Sequence, residues 1–295
     1  MGGAMHVSAT DAGSGVPAGT GRRALRAGAR PVKRGLGAAW RGALRAGSRD
    51  DTAATEGRRA LVLAPHPDDE TIGPGATIAR KRSAGTDVRV LVATDGRHSH
   101  RSDLMTADEL ARVRAGEFEQ ACDRLAVAPD QRLHLGFEEG TLGQRLPELV
   151  ALLREHVADF TPEEVLVTSG LDWHEDHRML SQALQQAVAG ADDPPLVREY
   201  PVWSWVDGPW SNRPGRGAVR SAVDLVAEPW ATWRSSGATH VMSGPHLERK
   251  RAALQAYRSQ LTRLTGEAGW ATFDERFLRL VLGDREIFLT PARGA

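Results

Sequence analysis

Two short stretches carry most of the ionisable chemistry: Pro-His-Pro-Asp-Asp-Glu from Pro65 to Glu70, and Asp-Trp-His-Glu-Asp-His from Asp172 to His177. The first sets His66, Asp68, Asp69 and Glu70 directly after an apolar run, Leu61-Val62-Leu63, that reads as a buried strand, with Pro65 and Pro67 fixing the backbone. Four titratable groups at one strand end are costly to bury unless a cation neutralises them or a reaction uses them, which points to a metal-dependent active site. A plainer reading stays open on these residues alone: a polar strand-to-helix turn with Asp68 or Asp69 as helix N-cap. The second stretch follows another strand-like run, and His174 and His177, three residues apart at a helix start, project to one side.

Two histidines and a carboxylate make an open metal site with positions left for water and substrate. Zinc there would favour hydrolysis by acidifying water and polarising a carbonyl, whereas ferrous iron would bring oxygen chemistry. The His66-Pro67-Asp68 spacing with distant His177 fits the iron triad, but that triad goes with all-β barrels and this chain alternates strand and helix. The adjacent second carboxylate and the second nearby histidine suit acid–base hydrolysis. One zinc ion per chain is therefore preferred, with Fe2+ or another divalent metal as the alternative.

The elements that must position these groups alternate regularly. Strands read at 60–64, 88–93, 132–136 and 164–168, separated by helical patterns at about 73–83, 107–126, 146–160 and 176–188. This predicts an α/β, Rossmann-like architecture, a mostly parallel sheet with helices on both faces. In such sheets ligands bind outside the carboxyl ends of strands near the topological switch point, where both stretches fall. Beyond residue 190 the pattern loosens: a strand at 196–205, a Gly/Pro/Arg-rich loop at 207–217, a strand near 222–226, a helix at about 245–264 and a last strand at 286–289. Trp203, Trp205, Trp210, Trp230 and Trp233 suggest a wall or lid for a ring-shaped substrate, with ordinary core use equally open.

The 295 residues suffice for one large domain, and 38 basic residues balance 38 acidic ones. The balance is uneven along the chain: nine basic residues precede residue 50 against one acidic residue, Asp11, leaving 29 and 37 for the remainder. Residues 1–57 thus read as a basic Ala/Gly/Arg-rich arm with no core of its own, containing a short amphipathic helix at 35–47 and serving an unknown partner. Residues 58–295 read as one domain, with 190–295 shaping the substrate pocket. The single cysteine, Cys122, excludes an intrachain disulfide and falls in a helical core pattern. No apolar run reaches the ~20 residues of a membrane span, so the expectation is a cytoplasmic protein whose domain binds no nucleic acid. Nothing in the sequence indicates an oligomeric state.

Together the two stretches resemble the A/P-H-P-D-D-E and H-x-D-H motifs of the PIG-L/LmbE family of zinc-dependent N-acetylglucosaminyl deacetylases. The similarity runs over roughly residues 58–290 and takes in the Gly73-Pro-Gly-Ala-Thr helix start, the Thr94-Asp95-Gly96 turn, Arg114-Ala-Gly-Glu117, Leu135-Gly136-Phe137 and the Tyr257-Arg-Ser-Gln260 segment. It implies His66, Asp69 and His177 as zinc ligands and Asp68 as the general base that takes a proton from the attacking water. It implies that His174, protonated, steadies the oxyanion and that Asp176 holds it charged and oriented, and that Arg114, Glu139 and Trp173 meet the substrate. The implied reaction removes the N-acetyl group from an N-acetylglucosamine-type amino sugar in a small glycoconjugate or natural product, yielding acetate and a free amine. An iron oxygenase and a non-catalytic sugar-binding protein are the alternatives. Some relatives carry a tyrosine two residues before the first histidine of H-x-D-H, where this chain has Asp172.

Overall fold

A computed structural model describes residues 35–208 and 237–290. In the strand Ala60–Ala64 the side chains alternate between two apolar layers: Ala60, Val62 and Ala64 join one, Leu61 and Leu63 the other. A strand buried on both faces needs helices on both sides, and the chain supplies them. In order the elements are α1 (35–47), β1 (Arg49–Asp50), α2 (Thr52–Glu56), β2 (Ala60–Ala64), α3 (Asp69–Ile72), α4 (Gly75–Ser83), β3 (Val88–Thr94) and α5 (Ala107–Leu125). They continue with β4 (Arg132–Phe137), α6 (Leu146–Phe160), β5 (Glu164–Thr168), α7 (Glu175–Val188), β6 (Leu196–Tyr200) and α8 (Trp203–Asp207). From residue 237 the described elements are β7 (Gly237–Met242), α9 (Leu247–Leu254), α10 (Arg258–Leu261), α11 (Glu275–Val281) and β8 (Arg285–Thr290).

The eight strands form one sheet in the order β1-β7-β8-β6-β5-β2-β3-β4, parallel except for β8, which runs against both β6 and β7. The chain builds β2, β3 and β4 outward in one direction, then returns to lay β5 on the other side of β2. The switch point therefore lies between β2 and β5, the two strands whose ends carry the ionisable stretches. One layer packs Ile78 and Ala79 of α4, Phe118 and Leu125 of α5 and Leu254 of α9 on the sheet; the other packs Leu149 and Leu153 of α6 with Leu180 and Leu184 of α7. A capping box between Thr106 and Glu109 starts α5, and Cys122 is buried in its apolar face. Among the described residues no helix is long and apolar enough to cross a membrane.

Three expectations change. The body does not begin at residue 58: Trp40 and Leu44 of α1 pack with Trp205, Ile287 and Leu289, and β1 pairs in parallel with β7. Polar contacts reinforce this, because Asp51 accepts from Arg58 and Arg198, and Thr55 donates to the buried Glu164 at 2.9 Å. Residues 1–34 of the expected arm lie outside the described residues. The strand expected at 196–205 stops at Tyr200, because the N–H groups of Val202 and Ser204 turn to the Asp172 carboxylate rather than to a neighbouring strand. The helix expected at 245–264 breaks between Leu254 and Arg258, where Tyr257 turns inward to donate to Glu70 at 2.5 Å and Ser259 reaches Glu117 at 2.6–2.7 Å. The loop at 209–217, the strand near 222–226 and Trp210, Trp230 and Trp233 also lie outside the described residues.

Candidate metal centre and substrate cavity

Past the end of β2 the backbone takes an unusual course. Asp68 adopts φ 130° and ψ −30°, a region that side-chain-bearing residues avoid at a cost of about 1–3 kcal/mol. Glu70, fully buried, holds it there: one carboxylate oxygen accepts from the Asp68 N–H at 3.0 Å, while the other accepts from the hydroxyls of Thr71 and Tyr257. Glu70 is thus a brace for the loop that carries the reactive groups. The N-cap reading also holds in form, since Asp68 precedes α3, but its side chain makes no capping bond.

Within this loop Asp69 Oδ2 lies 3.1 Å from His66 Nδ1 and 3.3 Å from His177 Nε2. Donors bound to one zinc ion at about 2.0–2.1 Å in a tetrahedron stand about 3.3–3.4 Å apart, so the spacing suits a single small cation. His177 Nε2 is buried and makes no hydrogen bond, an orphan nitrogen aimed at this point. Ring nitrogens of His66, His174 and His177 also lie within 4.8 Å of one another. The outer faces of the two inner imidazoles are fixed by carboxylates, as metal-binding histidines require. Asp176 lies 3.2 Å from His66 Nε2, and Asp172 lies 2.9 Å from His177 Nδ1.

The charges agree with a cation-seeking site. Burial works against protonation of both imidazoles, yet Asp176 and Asp69 outweigh it at His66, and Asp69 and Asp172 at His177, raising the metal-free pKa values to about 9 and about 10. Burial works against ionisation of Asp69, but His177 and His66 overcome it and hold its pKa well below the usual carboxylate range. Asp68 is raised well above that range, mainly by burial, with Arg114 as the largest opposing influence.

His174 departs from expectation. Burial and the neighbouring His66 and His177 lower its pKa to about 3, so the imidazole is neutral rather than charged. It caps α7: Nδ1 accepts from the Asp176 N–H at 3.3 Å, which assigns the proton to Nε2. The Asp176 carboxylate does not orient it, because it serves His66 and accepts from Gly140 N at 2.8 Å; only the Asp176 backbone N–H reaches the His174 ring. Arg114 departs as well. It is almost fully buried and spends its guanidinium on Asp68 Oδ2 at 2.9 Å, the Pro67 carbonyl and the Gly96 carbonyl. Gly96 makes this approach possible, since its φ of +67° suits glycine and a Cβ there would lie 2.6 Å from Arg114 Nη1. Glu117 makes no bond to Arg114 and instead holds Ser259.

A cavity of about 320 Å³ opens beside the centre, lined by the ionisable residues His66, Asp68, Asp69, His174, Arg114 and Glu139 and by His98, His100, Gln260, Trp173, Trp203 and Phe273. Trp173 stands 5.4 Å from Trp203, which stands 6.5 Å from Phe273, so one wall is aromatic. Trp205, also considered for this wall, packs in the core at 5.9 Å from Trp40. Glu139 faces the cavity while accepting from His98 N at 2.6 Å. Asp172 and Tyr257 are contributors that were given no role from the sequence, and Glu70, named there among the four titratable groups, gains its role as a brace only here. Asp172 had one legible signal, its place at the end of β5 five residues before His177.

The PIG-L family model, described as GlcNAc-PI de-N-acetylase, matches residues 61–188, the segment that carries both ionisable stretches. A 1D-myo-inositol 2-acetamido-2-deoxy-alpha-D-glucopyranoside deacetylase of Frankia casuarinae is 30% identical over 221 residues, 63% of this chain and 67% of the relative. The chain belongs to the PIG-L family. A deacetylase of the same name from Geodermatophilus obscurus is 27% identical over 283 residues, covering 78% of this chain and 94% of that one. Two solved structures share the fold of this PIG-L protein. The zinc-inhibited form of teicoplanin deacetylase Orf2 superposes with a TM-score of 0.58 at 18% identity, over 80% of this chain and all of the other. The N,N'-diacetylchitobiose deacetylase of Pyrococcus horikoshii superposes with a TM-score of 0.52 at 23% identity, over 79% and 84%. Membership of this family makes the chain an N-deacetylase, and the oxygenase alternative is not favoured.

Proposed function

We propose that this PIG-L protein is a zinc-dependent N-deacetylase that removes the acetyl group from an N-acetylglucosamine-type amino sugar in a small glycoconjugate or natural product. The observation that carries the reading is the approach of His66 Nδ1 and buried His177 Nε2 to Asp69 Oδ2, with His66, Asp68 and Asp69 lining an aromatic-walled cavity. These three residues would hold the metal. Zinc, when bound, supplies Lewis acidity: it acidifies water and polarises the acetyl carbonyl.

The chain's own groups supply the remainder. Asp68 accepts the proton of the attacking water; burial raises its pKa, which suits a group that takes up a proton, and Arg114 partly offsets that rise. His174 offers a neutral Nε2–H toward the oxygen on which charge develops, as an uncharged imidazole can. The proton held on Asp68 then passes to the departing amine. Trp173 and Trp203 give the sugar an apolar face to pack on, and Glu139 accepts from its hydroxyls.

The test joins metal analysis of the purified protein to an acetate-release screen over GlcNAc-inositol and N,N'-diacetylchitobiose. Asp68→Ala is expected to retain zinc while turnover drops about 10²–10⁴-fold; normal rates in that variant would remove Asp68 as the base. Binding of these sugars without acetate release from the zinc-loaded protein would favour the non-catalytic alternative.

A further inference from the structure

Asp172 is 1% exposed and sits between the metal centre and the start of α8. Three N–H groups converge on its two oxygens. Oδ2 lies 2.9 Å from His177 Nδ1 and accepts from Val202 N at 3.1 Å, and Oδ1 accepts from Ser204 N at 2.7 Å. An ionised carboxylate only accepts, so the proton of a neutral His177 must reside on Nδ1. That leaves the lone pair on Nε2, the buried nitrogen that makes no hydrogen bond and lies 3.3 Å from Asp69 Oδ2.

We propose that Asp172 is the positioning residue that sets the tautomer and ring orientation of His177, and so decides that His177 meets the metal through Nε2. The proposal rests on the reading of His177 as a ligand. Only a carboxylate suits the place. An amide of the same shape has one accepting atom, and the three N–H groups arrive on both oxygens. With its oxygen toward His177 and Val202, an asparagine would press its NH2 against the Ser204 N–H. Turned the other way, it would donate to His177 Nδ1 and drive the imidazole proton onto Nε2, where the metal must bind. The backbone bonds to Val202 and Ser204 also explain why the carboxylate cannot rotate away from the ring: both oxygens are tied to the segment that begins α8.

The experiment is a Zn2+ titration of wild type and Asp172→Asn against a competing chromophoric chelator, with circular dichroism and thermal melting on the same samples. Asp172→Asn is expected to stay folded and to bind zinc roughly 10–100-fold more weakly. A folded variant that melts lower but binds zinc within twofold of wild type would show a merely structural role and overturn the proposal. Wild type that binds no zinc would overturn the ligand reading and this proposal together, whereas tight wild-type binding matched by the variant overturns the Asp172 assignment alone. Nitrogen-15 NMR of histidine in the zinc-loaded wild type gives an answer without any variant: Nδ1 protonated and Nε2 metallated at His177 supports the proposal, and the reverse overturns it.

Discussion

Replacing Arg114 by alanine separates two roles that give opposite signatures. A guanidinium that gripped substrate would be exposed to the cavity, and its loss would raise KM while leaving stability and kcat nearly intact. Arg114 borders the cavity, but it is only 2% exposed and its guanidinium binds Asp68 Oδ2, the Pro67 carbonyl and the Gly96 carbonyl. Removing one partner of a buried pair costs about 3–5 kcal/mol, because the other charge is left uncompensated. At about 2–4 °C per kcal/mol for a domain of this size, Arg114→Ala is expected to lower Tm by roughly 6–20 °C. The pH profile must move too. Burial already raises Asp68 and Arg114 is the largest influence holding it down, so the variant's carboxylate protonates at higher pH. The base works ionised, hence the acidic limb of kcat/KM shifts toward higher pH. Arg114→Lys keeps the charge but cannot reach three acceptors with one planar fork, and it should fall between the two. Thermal melting and a pH series of acetate release decide the matter. An Arg114→Ala protein with wild-type Tm and an unmoved acidic limb, changed only in KM, would refute the positioning role.

Metal removal and acid act on the same imidazoles. Because His66 and His177 titrate near 9 and 10 in the metal-free protein, metal binding at neutral pH must displace protons, and apparent affinity should fall by roughly ten- to a hundredfold per pH unit of acidification. Calorimetry in buffers of different ionisation enthalpy reads this directly, and zinc uptake without proton release would contradict it. The sign for folding is opposite: in the metal-free protein these raised values stabilise fully below the unfolded pKa of about 6.5, and the gain is lost as pH rises through about 9 and 10. Chelator-treated protein should therefore melt progressively lower above pH 8. Leu44→Ala tests whether α1 belongs to the domain: Leu44 is 1% exposed against Ile287 and Leu289, so about 2–5 kcal/mol should be lost, and an unchanged melt would return residues 35–47 to the status of an arm.

The α/β alternation was legible because period and punctuation are local properties. The run Ala60–Ala64, β-branched β3 and the Leu-rich face of α6 each declare themselves within a dozen residues, and all appear within one or two residues of expectation. The two ionisable stretches were legible for the same reason, as dense groupings at strand ends. Segments whose course depends on distant partners were not. Tyr257 breaks an otherwise helical pattern because its hydroxyl is required 187 residues away at Glu70, and Ser204 leaves a strand pattern because Asp172 claims its N–H. Residues 35–57 have a composition poor in large apolar groups, yet a few well-placed ones, Trp40 and Leu44, suffice once β7, β8 and Trp205 supply the other half of the contact.

By itself the sequence determined which ionisable residues gather at which strand end, because residue type and chain spacing are local properties. The tertiary structure alone decided how those groups divide the work. Arg114 became the partner of Asp68, Asp176 passed from His174 to His66, and His174 became a neutral cap. Hydrogen-bond pairing and pKa depend on which charges and dipoles stand within a few ångströms, and that distance is set by the packing of β2 against β5, not by position along the chain.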